Sequence, residues 1–132
     1  MKNVIRQNMK LGGNKLRHLE SQFQMAVVRY LKLNHIYCFS VPNGTQLKMT
    51  QARIAKAEGM TAGVSDLIVL LPNAKCVFVE LKSPNGKGRQ SEYQKEFEKK
   101  VKELGFEYCL WDNWDIIEAN VNKWRFVKGV SK

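Results

Sequence analysis

Two apolar runs on either side of a tight turn constrain this chain more than any other feature. Leu67–Leu71 reads Leu-Ile-Val-Leu-Leu, and Cys76–Val79 reads Cys-Val-Phe-Val. Short continuous apolar runs rich in Val, Ile and Phe read as strands covered on both faces. Pro72-Asn73-Ala74 between them is turn chemistry. The spacing therefore predicts a β-hairpin. Its open end is charged: Asp66 begins the first run, and Glu80 and Lys82 close the second. With a loop of residues 72–74, Leu71 faces Lys75 and, counted down the ladder, Asp66 faces Glu80. A longer loop would break that pairing.

Directly opposed residues stand about 5 Å apart at Cβ. Glu80 and Lys82 share a face, about 6.6 Å apart along the strand. Two carboxylates and one ammonium would then meet at one point. Carboxylates so close repel unless a cation lies between them. Oxygen ligands suit Mg²⁺ or Mn²⁺, and a nearby lysine can orient water or stabilise developing charge. That is equipment for metal-assisted phosphodiester hydrolysis. An Asp capping one strand and a surface Glu–Lys pair on another would use the same residues, and spacing alone leaves both readings open.

The 132 residues suit one domain with a real core. No apolar run approaches the length of a membrane helix, and no apolar segment follows the basic N-terminus as in a secretory signal. Cys38, Cys76 and Cys109 each sit in an apolar run, without the pairing expected of a disulfide framework or a zinc site. Reduced thiols point to the cytoplasm.

The net charge is +10, and its placement is uneven. Residues 1–17 carry Lys2, Arg6, Lys10, Lys15 and Arg17; residues 120–132 carry Lys123, Arg125, Lys128 and Lys132; neither segment holds an acid. Basic arms on a nearly neutral body point to a polyanion, most simply nucleic acid. A solubilising tail would have the same composition. The expected division is a basic arm over 1–17, a folded body over 18–120 and a basic tail over 121–132.

Along the body, Leu19, Phe23, Ala26, Val27, Tyr30 and Leu31 predict an amphipathic helix over about 18–33. Glu20 lies at its start, in phase with Val27 and Leu31. Residues 36–41 read as a strand, and about 48–58 as a second helix with Lys48, Arg53 and Lys56 as basic positions. Gly63 marks a turn, or a place where the backbone passes close to a ligand. The loop after Lys82 carries Lys87 and Arg89, placed to grip phosphates. Ser91-x-x-Gln94 matches a capping box for a helix over about 91–104. Residues 106–111 read as a strand, and 112–120 as a short helix. The order helix, strand, helix, strand, strand, helix, strand, helix gives an α/β domain with a central mixed sheet flanked by helices. The crossover helix would set the last strand parallel to the strand bearing Glu80.

Asp66 followed by Glu80-Leu81-Lys82 resembles the D…(D/E)xK signature of the restriction-endonuclease-like, or PD-(D/E)XK, nucleases. The segment from Gly59 through Gly63 to Asp66 is similar to the G-x-x-x-G-x-x-D stretch of VRR-NUC domains. Glu80-Leu81-Lys82-Ser83, Ser91-x-x-Gln94 and the early helical Glu20 fit the same family over about residues 18–120. One departure is visible: Ser65 stands where the superfamily's proline would precede Asp66. The resemblance implies a restriction-endonuclease-like core acting on DNA with Mg²⁺ or Mn²⁺. Asp66 and Glu80 would ligate the metal, with the Leu81 carbonyl as third ligand and Glu20 supporting the metal or its water. Lys82 would activate the attacking water, with Gln94 near the site. Lys48, Arg53, Lys87 and Arg89 are the expected DNA contacts. Resemblance to small, stand-alone, phage-type members further implies a homodimer cutting branched DNA such as Holliday junctions, in the host cytoplasm if phage-encoded. Flaps, linear DNA or RNA, or a non-catalytic nucleic-acid-binding module, are the alternatives.

Overall fold

The computed structural model describes residues 13–42, 47–84 and 88–125, with side chains from residue 19 onward. Among the described residues, four helices and four strands follow in the expected order: α1 (Gly13–Leu33), β1 (Tyr37–Ser40), α2 (Met49–Ala57), β2 (Leu67–Leu71), β3 (Lys75–Leu81), α3 (Glu92–Glu103), β4 (Glu107–Trp111) and α4 (Trp114–Arg125). The strands form one sheet in the order β1-β2-β3-β4. The β1–β2 and β2–β3 pairs are antiparallel, and β3–β4 is parallel across the crossover helix α3.

The hairpin register is the one its loop length dictates. Leu71 pairs with Lys75 and Leu67 with Val79, so the next step down brings Asp66 to Glu80. Asn73 and Ala74 both take positive φ, of 65° and 59°, to close the turn.

Strand alternation sends Leu67, Val69, Leu71, Val77, Val79, Cys109 and Trp111 to one face, all buried. Phe23, Val27 and Leu31 of α1 cover that face together with Ile117, Val121 and Trp124 of α4. The opposite face is thinner. There α3 lays Phe97 against Phe78, with ring centroids 5.4 Å apart, while Tyr37, Phe39 and Leu70 stay exposed. Helix α2 has no buried residue.

Both ends of the body extend beyond the expected bounds. Helix α1 starts at Gly13, so residues 13–17 continue the helix rather than forming a loose arm. Helix α4 runs to Arg125 instead of ending near Asn120. Val121 and Trp124 continue the apolar stripe begun by Ile117, and both are fully buried; Trp124 packs on Trp111 at 5.7 Å. The segment read as a tail thus supplies part of the core. The outer charges of the two basic segments lie outside the described residues.

Candidate active site

The open end of the hairpin gathers four of the predicted side chains. Asp66 sits at the entrance to β2, where its backbone carbonyl accepts from Val41 N–H at 2.9 Å. Its Oδ2 accepts from Leu81 N–H at 2.8 Å. The Lys82 N–H turns the other way, to Trp111 O at 2.9 Å. In extended backbone a residue's N–H and C=O face the same edge, so the Leu81 carbonyl lies on the Asp66 side of the strand.

Glu80 is only 2% exposed. Its Oε1 accepts from Gln94 Nε2 at 2.8 Å and stands 3.8 Å from Lys82 Nζ. Its Oε2 is buried with no hydrogen-bond donor, and the Asp66 carboxyl lies against Glu80. Burial pushes the Glu80 carboxyl up to about 8, the Asp66 charge adds to the rise, and Lys82 opposes it. A buried acceptor without a donor costs about 1–3 kcal/mol, so this oxygen is open to a proton or a cation.

Gln94 joins two functions that the sequence presented as alternatives. Its Oε1 accepts from Ser91 N–H at 2.8 Å, while Ser91 Oγ accepts from Gln94 N–H at 3.2 Å, completing the capping box of α3. The same Oε1 accepts from Lys82 Nζ at 2.9 Å. The helix cap thus fixes an amide that holds Lys82 at one end and Glu80 at the other. Two ammonium and backbone donors on the oxygen, and a carboxylate on the nitrogen, leave one sensible orientation of the amide.

Gly63 is needed for a close approach, but to protein rather than to ligand. Its φ is +83°, and a Cβ there would overlap the Tyr93 carbonyl and lie 2.7 Å from Gln94 N. The segment before Asp66 is therefore pressed onto the first turn of α3. Ser65, at the position of the missing proline, is fully buried and donates to Leu67 O at 3.2 Å.

Glu20 is exposed on α1. No group of three His, Cys, Asp or Glu side chains among the described residues is arranged to hold a metal, so Glu20 does not join Asp66 and Glu80 as a third acid. Lys48, Arg53 and Arg89 are exposed, and Lys87 lies outside the described residues. No local pattern marks Gln90 and Tyr108, which the fold brings beside α3: Gln90 Nε2 donates to Tyr108 Oη at 3.1 Å and to Glu98 Oε1 at 2.9 Å. Among the described residues, no helix is long and apolar enough to cross a membrane.

The VRR-NUC domain family profile matches residues 17–111. A solved structure titled "VRR_NUC domain protein" superposes with a TM-score of 0.63 at 20% identity, covering 80% of this chain and 87% of that one. No curated protein matches. At that identity the structural likeness speaks for the fold, and the profile match supplies the family. The profile spans the hairpin, its charged end, the capping box and the parallel strand β4. With those elements placed as described, the chain belongs to the VRR-NUC domain family and carries a nuclease-type domain.

Proposed function

We propose that this protein is a Mg²⁺- or Mn²⁺-dependent endodeoxyribonuclease that cuts branched DNA, Holliday junctions first, as a homodimer in the cytoplasm. The observation that carries the reading is the unpartnered, buried Glu80 Oε2 beside Asp66, with Lys82 held by Gln94. A purely structural acid would be paired or exposed.

The donor set fits a hard divalent cation. Mg²⁺ binds through one or two carboxylates, its own waters and substrate phosphates rather than an all-protein cage, so a third acid is not required. Asp66, Glu80 and the Leu81 carbonyl would hold it. Glu20, exposed on α1, would act only through water. A bound cation of this kind would polarise the scissile phosphate and acidify a coordinated water. Lys82 would orient the attacking water and stabilise charge developing on the phosphate. Arg89 and the exposed Lys48 and Arg53 would grip phosphates without reading bases, as would Lys87.

The branched substrate and the dimer rest on a physical fit. Two equivalent sites related by a two-fold axis can cut two strands of a junction symmetrically. The exposed Tyr37, Phe39 and Leu70 provide apolar surface for self-association. The cytoplasmic assignment draws on the three free cysteines.

Cleavage of a panel of junctions, flaps, splayed duplexes, linear DNA and structured RNA with Mg²⁺, Mn²⁺ or EDTA tests the proposal, with sedimentation reporting the oligomer. Junction cutting that needs metal and disappears in Lys82→Ala supports it. Tight binding without wild-type cleavage of any substrate would make the chain a binding module, and cleavage confined to RNA would reassign the substrate.

A further inference from the structure

The loop that leaves Lys82 comes back to it. A Cβ built on Gly88 would lie 3.1 Å from Lys82 Cβ and 3.2 Å from Lys82 Cδ, so the Gly88 backbone rests directly on the lysine stem. Two residues later the chain is clasped. Gln90 Nε2 donates both to Tyr108 Oη on β4 and to Glu98 Oε1 on α3, at 3.1 and 2.9 Å. Glu98 is itself tied down, through Oε2, to Lys102 at 2.5 Å. The Lys102 ammonium lies 6.0 Å from the Tyr108 ring centre, and Phe97 meets that ring edge-on at 6.4 Å.

This arrangement bears on how Lys82 is held. A long lysine side chain loses rotamer entropy when it is fixed. The attraction to Glu80 does not fix it, since those charged atoms stand 3.8 Å apart. Gln94 holds the tip and Gly88 backs the stem. Gly88 has no side chain with which to anchor itself, so its position depends on its neighbours. Ser91 already belongs to the α3 cap, and Gln90 is the residue that ties the intervening backbone to both sheet and helix.

We propose that Gln90 is a positioning residue for Lys82: its clasp on Tyr108 and Glu98 sets the Gly88 backbone against the lysine stem and keeps the ammonium on Gln94. The consequence for cleavage rests on the nuclease reading, whereas the effect on Lys82 itself does not.

Side-chain relaxation of ¹³C-labelled lysine in the metal-free protein measures the order of Lys82 Cε directly. Lys82 is expected to be more ordered than the exposed Lys99, and Gln90→Ala should bring it close to the Lys99 level. Tyr108→Phe, which leaves the Glu98 acceptor in place, should fall between the two and carries the test if Gln90→Ala does not fold. In cleavage, Gln90→Ala should lower kcat roughly 10- to 100-fold with DNA affinity in Ca²⁺ within about twofold of wild type. Unchanged Lys82 order in a folded Gln90→Ala or Tyr108→Phe protein overturns the proposal. So does a loss confined to DNA affinity, which would make the clasp a support for Arg89 instead. If the wild type cut no nucleic acid, the nuclease reading would fail, and the relaxation data would still decide the clasp.

Discussion

Each end of β3 has a lysine–glutamate pair, Lys75 with Glu107 of β4 at one end and Lys82 with Glu80 at the other, and the two pairs are built in opposite ways. At the turn end, Lys75 meets Glu107 at 2.9 Å, with the two side chains partly exposed at 41% and 27%. At the open end, Lys82 and Glu80 are 15% and 3% exposed, yet their charged atoms stay 3.8 Å apart. Gln94 stands between them and satisfies each, and Glu80 still keeps one oxygen without a donor. The exposed pair is complete and worth little, about 0–1 kcal/mol. The buried pair is incomplete and costs stability. A fold that had selected only for stability at the open end would have closed that gap or replaced the acid with an apolar residue.

The largest separation between the two ends should appear in activity. Asp66→Ala and Lys82→Ala are each expected to lower junction cleavage by about 10³-fold or more, while Lys75→Ala and Glu107→Ala leave it near wild type. Comparable losses from all four, measured under single-turnover conditions, would erase the distinction between the ends.

Next comes the packing that builds the open end. Gly63→Ala forces a Cβ into the Tyr93 carbonyl and Gln94 N at a positive φ. Backbone strain and overpacking together predict a loss of about 2–5 kcal/mol in urea denaturation. A loss below 1 kcal/mol would mean that the segment before Asp66 is not pressed onto α3.

The smallest effect sharpens the comparison through pH. Glu80 holds its proton in the folded, metal-free protein up to about 8, above its ordinary 4.5. Between those values the folded state binds the extra proton, so stability falls as pH rises from about 4.5 towards 8. Glu80→Gln removes that fall, so it should match wild type at pH 4 and exceed it at pH 8 by about 1–3 kcal/mol. Lys75→Ala should lower stability by less than about 1 kcal/mol across the same range. A Glu80→Gln protein less stable than wild type at pH 8 would mean that Oε2 has a partner in solution.

Much of this site was legible because it depends on short-range rules. The hairpin's three-residue loop and two apolar runs determine the register, and the register brings Asp66 to Glu80. The parallel placement of β4 follows from a crossover helix. The capping-box pattern located Gln94, although its reach to both Lys82 and Glu80 depends on where α3 lands on the sheet, which no local pattern encodes. The same reason hid Gln90 and Tyr108, which are 18 residues apart and meet only in the fold. Gly63 reads as a turn or as a close approach to a ligand; it lies in a turn, and the approach is to the α3 backbone, since a glycine signals missing volume but not what fills it. The C-terminal boundary was misplaced because Lys123 and Arg125 suggested a solvated tail, while Val121 and Trp124 at helical spacing hold α4 to the core.

Calorimetric titration of Mn²⁺ into the metal-free protein, wild type against Glu80→Gln, tests most directly whether the open end is built to receive a cation. The account predicts saturable binding by wild type and at least roughly tenfold weaker binding by Glu80→Gln. Equal affinity in the two proteins, or no binding by a folded wild type even with DNA present, would contradict it.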